Sequence, residues 1–260
     1  MFMDSPEERM EGFVQALEAM QGIRIVKKEL LTGGSTNRLY RVYNEAGESW
    51  AVKCYFKDDR SRLEREYPIL ELFAHEQVPS VPRPIYRSDA QYIGMYSWTE
   101  GSQKKDVDWT MTDVTRLADF IACVHSIPLP SDQAQILPAF MATDTMERVF
   151  GEALDRLEGI QKERERGALP PAAAALIDRE RIQERAERAI QTIRAEIGQE
   201  RARAVFPKEH LRVSILDVGP HNTLFHADGT PTYLDFELAG IDHPFRVIID
   251  FIQHDRTLNL

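Results

Sequence analysis

The sequence predicts an α+β fold in which an antiparallel sheet comes first and a mostly helical part follows. Near the start, three strand-like runs are separated by turn residues; they are Ile23 to Leu31, Leu39 to Tyr43 and Trp50 to Phe56. Beyond residue 101, by contrast, apolar residues recur at helical spacing as far as Arg212. We therefore expect two lobes, an N-lobe of residues 1–98 and a C-lobe of residues 99–260.

Capping and turn residues define the other elements of the first lobe. Ser5-Pro6-Glu7-Glu8 is a capping box with proline at the first helical position, so a short amphipathic helix opens the chain. Ser61-Arg62-Leu63-Glu64 is a second such box, and it starts the main helix of this lobe. Three prolines then favour extended structure, and Gln91 to Tyr96 is typical of a further strand.

The second lobe contains three apolar stripes with the spacing of buried helix faces, which begin at Val114, Met146 and Ile182. The opposite faces are dense in Glu and Arg, which is typical of a solvated surface. After Arg212 the pattern returns to short strands. Two of them flank Asp228-Gly229, a strong signal for a two-residue hairpin turn.

Composition and charge disfavour several classes of protein. Hydrophobic residues make up 43% of the 260 residues and charged residues 28%, as in soluble globular proteins. The formal net charge of −10 argues against nucleic acid or an anionic membrane surface as the main partner. Two cysteines are too few for a disulfide framework. Because the sequence also lacks a signal-peptide pattern and an apolar run of about 20 residues, we expect a cytoplasmic protein.

Three oxygen-bearing side chains are expected to meet beside the hairpin. If Asp228-Gly229 is its turn, Asn222 and Asp235 face each other, with Cβ atoms about 4.5–5.5 Å apart. One Mg²⁺ ion can take an oxygen from each. Asp217 leads into the same corner, where it would accept the proton of a hydroxyl group. The alternative is that each of these residues is an ordinary loop residue without a catalytic or metal-binding role.

Lys53 and Glu66 form a predicted ion pair in the first lobe. Alternation along the third strand puts Lys53 on the face opposite its bulky apolar neighbours. Glu66 lies within the apolar stripe of the following helix, so it faces the core and needs a cation. Pro68 leaves an alternative open, because a kink there would make Glu66 a capping residue of a restarted helix.

Two weaker signals accompany this pair. Gly33-Gly34-Ser35-Thr36-Asn37 lies between two strands and can fold over phosphates with its backbone N–H groups, although it is not a Walker loop. The histidines near the hairpin, His221, His226 and His243, match no usual zinc spacing.

In their order and spacing, these segments resemble the aminoglycoside phosphotransferase and choline-kinase-like branch of the protein-kinase fold. The resemblance runs from Leu30 to Phe251. Its segments are Leu31 to Val42 (nucleotide loop), Ala51 to Lys53 (phosphate-binding strand), Arg65-Glu66, Met95 to Gly101 (hinge), Asp217 to Asn222 (catalytic loop) and Leu234 to Glu237 (metal segment). It implies a two-lobed protein-kinase-like fold, with a catalytic β-hairpin in a mostly helical C-lobe.

The resemblance also implies a role for each site residue. The ATP-binding residues would be Gly34, Ser35, Asn37, Lys53 and Glu66, with the backbone of Ser97 and Thr99. Asp217 would be the catalytic base, and Asn222 and Asp235 would hold Mg²⁺. The implied reaction transfers the γ-phosphoryl group of ATP, with GTP an open alternative, to a hydroxyl of a small molecule. That acceptor would be an aminoglycoside, an amino alcohol or a sugar-like compound.

Two departures from the family pattern favour another hypothesis. Ile215 stands where the family usually has a histidine, and the chain ends shortly after Asp250, as a chain truncated at its C-terminus would. The alternative is a nucleotide-binding pseudokinase that acts as a scaffold or regulator. A protein serine/threonine kinase is disfavoured, because the segment between Asp235 and Asp250 is too short for a long activation loop.

Overall fold

The computed structural model describes residues 5–31, 36–105, 108–129, 136–169 and 181–253, together with residues 171, 174, 175 and 177. The chain divides into two compact units. The first joins Met1–Ala142 to Arg212–Leu260, and the second is Thr143–Leu211. The expected boundary after residue 98 falls inside the first unit, so the division into lobes stays a prediction. An antiparallel sheet together with several helices confirms the predicted α+β class.

A five-stranded antiparallel sheet lies in the first unit. Its strands are β1 Ile25–Leu30, β2 Arg38–Asn44, β3 Ser49–Cys54, β4 Pro84–Ser88 and β5 Ile93–Ser97. Their order is β1-β2-β3-β5-β4, which places β3 at the centre. Lys53 on β3 pairs with Leu39 on one side and Gly94 on the other. It is therefore not the solvated edge charge that a lone strand lysine usually is.

Helix α1, Pro6–Gln21, covers one face of this sheet. Its N-terminus is the predicted capping box, in which Ser5 and Glu8 satisfy each other's backbone N–H groups. Apolar residues of α1 pack against buried side chains of β2, β3 and β5, including Val52 and Cys54. Because successive side chains of a strand point to opposite faces, Lys53 lies on the other face.

Helix α2, Arg62–His75, packs into the core with Leu63, Leu70 and Phe73. It runs through Pro68 without a break, so the alternative of a helix that restarts at this proline is not realised. The capping box predicted at Ser61 is wrong. Ser61 has a left-handed backbone, with φ at 51°, whereas a capping side chain needs an extended one.

Helices α3, α4, α5 and the short helix α6 follow this sheet in the chain. Helix α3, Met111–Ser126, belongs to the first unit and begins with a capping box of Thr110 and Asp113. The second unit contains α4 Met146–Glu165, α5 Ile182–Ile197 and α6 Gln199–Arg203. Their small core is formed by Phe150, Ile190 and Ala202. Among the described residues, no helix is long and apolar enough to cross a bilayer.

The chain then returns to the first unit as short strands and one helix. They are β6 Arg212–Ser214, β7 Thr223–Phe225, β8 Pro231–Tyr233, β9 Gly240–Asp242 and α7 Phe245–Gln253. Strand β7 pairs with β8 as a hairpin, and β6 pairs with β9. Aromatic contacts connect this region to the helices: Phe236 lies edge-on to Phe73, and Tyr233 stacks on Phe120 with ring centroids 4.2 Å apart. The segments around the β7–β8 hairpin are thus built on the core that α2 and α3 share.

We expect Gly240→Ala to destabilise the first unit by about 1–3 kcal/mol, because it overpacks a backbone contact. A Cβ at Gly240 would lie 2.4 Å from both Ala139 N and Leu137 O, and neither backbone atom can rotate away. Urea denaturation followed by tryptophan fluorescence measures the change.

Gly12→Ala is the matched control in the same unit. It lies in α1, where its Cβ would meet only the flexible Gln91 side chain at 3.4 Å. Alanine there should be neutral or stabilise by about 0.5–1 kcal/mol. Equal stability changes for the two variants would contradict the close approach at Gly240.

Candidate active site

The loop after β6 holds Asp217 in a strained backbone conformation. Its φ is 61°, in the left-handed region that a residue with a β-carbon seldom adopts, at a cost of about 1–3 kcal/mol. Two side chains stabilise this geometry. The backbone N–H of Asp217 donates to Asp250 Oδ2 at 2.7 Å, and Asn222 Nδ2 donates to the backbone carbonyl of Asp217 at 2.9 Å. Ile215, in the place of the family's usual histidine, is fully buried in the core. The loop is therefore held by α7 and by its own asparagine.

The hairpin that follows has a different register from the one predicted. Strand β7 pairs so that Leu234 N donates to Asn222 O, and Asn222 lies opposite Leu234 instead of Asp235. Pro231 likewise pairs with Phe225 instead of His226. The reason is the turn, which has three loop residues and not two. Gly229 takes the left-handed position that closes such a loop, with φ at 79°.

Asp235 lies beyond the end of strand β8. Strand β8 ends at Tyr233, and Asp235 has a φ of 64°, a second left-handed aspartate. Its Oδ1 lies 2.6 Å from Lys53 Nζ. The direct opposition of Asn222 and Asp235 was therefore a wrong prediction, although Asn222 pairs with Leu234, the residue next to Asp235.

Lys53 lies between three carboxylates. Its ammonium donates to Glu66 Oε2 at 2.7 Å and to Asp235 Oδ1, and Glu237 Oε2 lies 3.2 Å away. Glu66 also accepts hydrogen bonds from the Tyr55 hydroxyl at 2.6 Å and from Phe236 N at 3.3 Å. The structure thus brings together the predicted pair and adds Glu237, connecting β3, α2 and the segment after β8.

The electrostatics of this group keep Lys53 charged. Burial alone would lower the pKa of the ammonium, but the negative charges of Asp235 and Glu66 and the hydrogen bonds to them outweigh burial and raise the pKa. Desolvation, and after it the nearby charge of Glu66, are the main causes that raise the pKa of Tyr55 well above its usual range. The Tyr55 hydroxyl therefore stays a donor to Glu66. At neutral pH the Lys53 ammonium is therefore charged and the Tyr55 hydroxyl is protonated.

Glu237 and Arg62 belong to the candidate site although the sequence did not single them out. Arg62 is almost fully buried at the start of α2, donates to Glu237 and forms an ion pair with Asp58 at 2.9 Å. The available signal for Glu237 was its spacing of two from Asp235. Arg62 gave no signal, because an arginine in a first helical turn is usually solvated.

Asn37 connects the glycine-rich loop to this acidic segment. Its Nδ2 donates to Glu237 Oε2 at 2.5 Å, and its Oδ1 accepts from Phe56 N at 2.9 Å. Gly34 and Ser35, the other loop residues predicted to bind ATP, lie outside the described residues. Both polar ends of the Asn37 side chain have protein partners, and its contact with ATP stays a prediction.

The hinge residues follow β5. Ser97 ends this strand, where its backbone N–H donates to Arg83 O at 2.8 Å and its hydroxyl accepts from Arg83 N. Thr99 is partly buried two residues later. Arg41 on β2 stacks on Trp98 at 4.1 Å and pairs with Glu100 at 2.6 Å. Contact of the Ser97 and Thr99 backbone with a nucleotide base stays a prediction.

Carboxylates near Lys53 offer hard oxygen donors. One oxygen each from Glu66, Asp235 and Glu237 lies within 4.8 Å of the others. Asn222 uses its amide nitrogen for Asp217, which leaves its oxygen for another partner. This donor chemistry fits Mg²⁺.

We expect Glu66→Ala to lower the free energy of unfolding by about 3–5 kcal/mol, since it removes one partner from a buried ion pair. The Tyr55 hydroxyl would lose its acceptor as well. Urea denaturation measures this change. Glu71→Ala, on an exposed position of the same helix, is the control and should change stability by less than about 0.5 kcal/mol. Similar losses in both variants would contradict the energetic role of the pair.

Comparison with known proteins shows the family of this chain. The model of the phosphotransferase enzyme family matches residues 29–246. Spectinomycin phosphotransferase APH(9)-Ia, in a crystal structure with ADP and spectinomycin, has a TM-score of 0.63 at 13% identity, covering 96% of this chain and 75% of that one. The GDP and kanamycin complex of APH(2")-IIIa has a TM-score of 0.63 at 17% identity, covering 96% and 81%.

A macrolide phosphotransferase is also similar. The apoenzyme of macrolide 2'-phosphotransferase MphH from Brachybacterium faecium has a TM-score of 0.58 at 15% identity, covering 93% of this chain and 76% of that one. A comparison with curated protein sequences gives no match. The structural similarities confirm the predicted fold, and the family match extends from β1 to the start of α7. The chain belongs to the phosphotransferase enzyme family.

Proposed function

We propose that this chain transfers the γ-phosphoryl group of ATP to a hydroxyl group of a small molecule. The observation that carries the proposal is the position of Lys53, held between Glu66 and Asp235. A charged lysine oriented by carboxylates from two other segments suits the binding of nucleotide phosphates. Asp217 and Asn222, in the loop of the same unit, supply the remaining groups.

Asp217 is the base in this proposal. As the acceptor oxygen bonds to the γ-phosphorus, the bond from phosphorus to the β–γ bridging oxygen breaks, and the nucleoside diphosphate leaves. The hydroxyl proton passes to a carboxylate oxygen of Asp217. This side chain is partly exposed, as a base that must meet a substrate needs to be.

Asn222 and Asp235 would hold Mg²⁺, with Glu237 and Glu66 adding negative charge nearby. When bound, Mg²⁺ would neutralise charge on the phosphate oxygens. Lys53, Arg62 and Asn37 keep this acidic segment in one conformation through their contacts with Glu237 and Asp235. The chain's own residues thus orient the donor set before substrates bind.

Related enzymes support the choice of substrates. The spectinomycin enzyme was crystallised with ADP and the kanamycin enzyme with GDP, so both ATP and GTP are tested as donors. The same structures and a macrolide phosphotransferase indicate hydroxylated acceptors of small size. The net charge of −10 is compatible with a cationic acceptor such as an aminoglycoside.

Asp217→Asn should lower kcat by about 10²–10⁴-fold, because an amide cannot accept the hydroxyl proton. The dissociation constant of the nucleotide should stay within about twofold, since Lys53 and its partners are untouched. Turnover is measured with ATP and GTP against aminoglycosides, macrolides and amino alcohols, and nucleotide binding by calorimetry.

Asp228→Asn is the matched control. Asp228 is exposed at the hairpin tip, where asparagine keeps the same turn contact with Thr230 N. Its turnover should equal that of the wild type. If Asp217→Asn turned over as fast as this control, Asp217 would not be the base. Nucleotide binding without turnover of any acceptor by the wild-type chain would instead favour the pseudokinase.

Asp235→Asn should raise the Mg²⁺ concentration needed for half-maximal nucleotide binding by about 10–100-fold, because the site loses a charged ligand. Titration of nucleotide binding with Mg²⁺ measures this shift, again with Asp228→Asn as the control. An unchanged Mg²⁺ requirement would remove Asp235 from the set of metal ligands.

A further inference from the structure

His221 lies against the carboxylate of Asp217. Its Nε2 is 3.0 Å from Asp217 Oδ1, across four residues of the loop. The other carboxylate oxygen, Oδ2, lies 3.5 Å from Asn222 Nδ2, which is at the limit of a hydrogen bond. The histidine therefore makes the shorter of these two contacts to the proposed base.

The loop itself holds the imidazole in this position. His221 is the middle residue of a short 3₁₀ turn, Pro220–Asn222, which begins with a proline whose φ is already fixed. Asn222 N and the Thr223 hydroxyl both donate to Gly219 O, at 3.1 and 2.8 Å, and close the turn. Gln103 donates to the carbonyl of His221 from outside the loop. These contacts hold the backbone of His221 in the turn, four residues from Asp217.

Asp250 and Asn222 hold the backbone of Asp217, but these two backbone contacts do not themselves set the direction of its carboxylate. A base must be within hydrogen-bond reach of the proton it accepts. A donor on one oxygen restricts the rotation and leaves the lone pairs of the other oxygen for that proton. A base oriented by a third group is a recurrent arrangement in enzymes that activate nucleophiles.

We propose that His221 is a positioning residue for the reaction: its Nε2–H donates to Asp217 Oδ1 and orients the carboxylate so that Oδ2 accepts the proton of the acceptor hydroxyl. This inference rests on the proposed function. Both the neutral Nε2–H tautomer and the imidazolium ion supply the donor, so the role needs no change of protonation.

His221→Phe tests the proposal because it keeps the ring and removes the donor. We expect kcat to fall about tenfold, a fraction of what loss of the base itself costs, with the dissociation constant of the nucleotide unchanged. His221→Gln retains an N–H group near the position of Nε2 and should restore kcat to within about threefold of the wild type. A purely structural role would lower thermal stability and nucleotide affinity as well, and the two variants would behave alike.

His226→Phe is the matched control. His226 lies on the same hairpin, and its Nε2 contacts Thr232 Oγ1 at 2.9 Å instead of the base. Its kcat should stay within about twofold of the wild type. Adding His221→Phe to Asp217→Asn should lower the residual rate no further, because the histidine acts through the carboxylate.

A spectroscopic measurement tests the contact without turnover. In long-range ¹H–¹⁵N spectra of the nucleotide-free protein at pH 8, the ring of His221 should carry its proton on Nε2, and its signals should move in Asp217→Asn. The opposite tautomer would overturn the proposal. A wild-type kcat in His221→Phe, or no recovery in His221→Gln, would overturn it while leaving the proposed function standing. A wild-type chain without turnover would overturn both.

Discussion

The buried ammonium group of Lys53 is the charge on which the arrangement of the site depends. Glu66, Asp235 and Glu237 come from a helix and from a segment far along the chain. The two glutamates are buried and Asp235 is partly exposed, so the group needs a counter-charge. One lysine on the central strand supplies it for all three, and Arg62 adds a second cation beside Glu237. Without these cations the acidic groups would repel one another. The ion network therefore determines where the segment after β8 can lie.

Two of the residues with a strained backbone belong to the candidate site. Asp217 and Asp235 both occupy the left-handed region, which residues with a β-carbon rarely adopt. Each is over-determined by its surroundings: Asp250 and Asn222 bind the backbone of Asp217, and Lys53 binds the carboxylate of Asp235. These contacts offset the cost of the left-handed backbone at Asp217 and Asp235, and they hold both carboxylates at the candidate site.

Much of the first unit was predictable from local patterns. The strands and the inward position of Glu66 follow from periods of two and 3.6 residues, and the capping box of α1 follows from the motif Ser5-Pro6-Glu7-Glu8. The pairing of Lys53 with Glu66 followed from the cost of burying either charge alone. By contrast, the hairpin register was wrong by one residue, because Asp228-Gly229 also fits a loop of three residues with glycine in its last position. Short-range turn signals do not separate these two loops.

The sequence by itself determined the α+β class, the central lysine strand and the types of residue available for phosphate and metal chemistry. It did so because side-chain periodicity and burial are local properties of a segment. Only the tertiary structure decided that Glu237 and Arg62 join the ion network, that Asn37 connects the glycine-rich loop to it and that His221 lies on Asp217. Those contacts depend on the relative position of segments distant in sequence and on single backbone torsions, neither of which a local pattern contains.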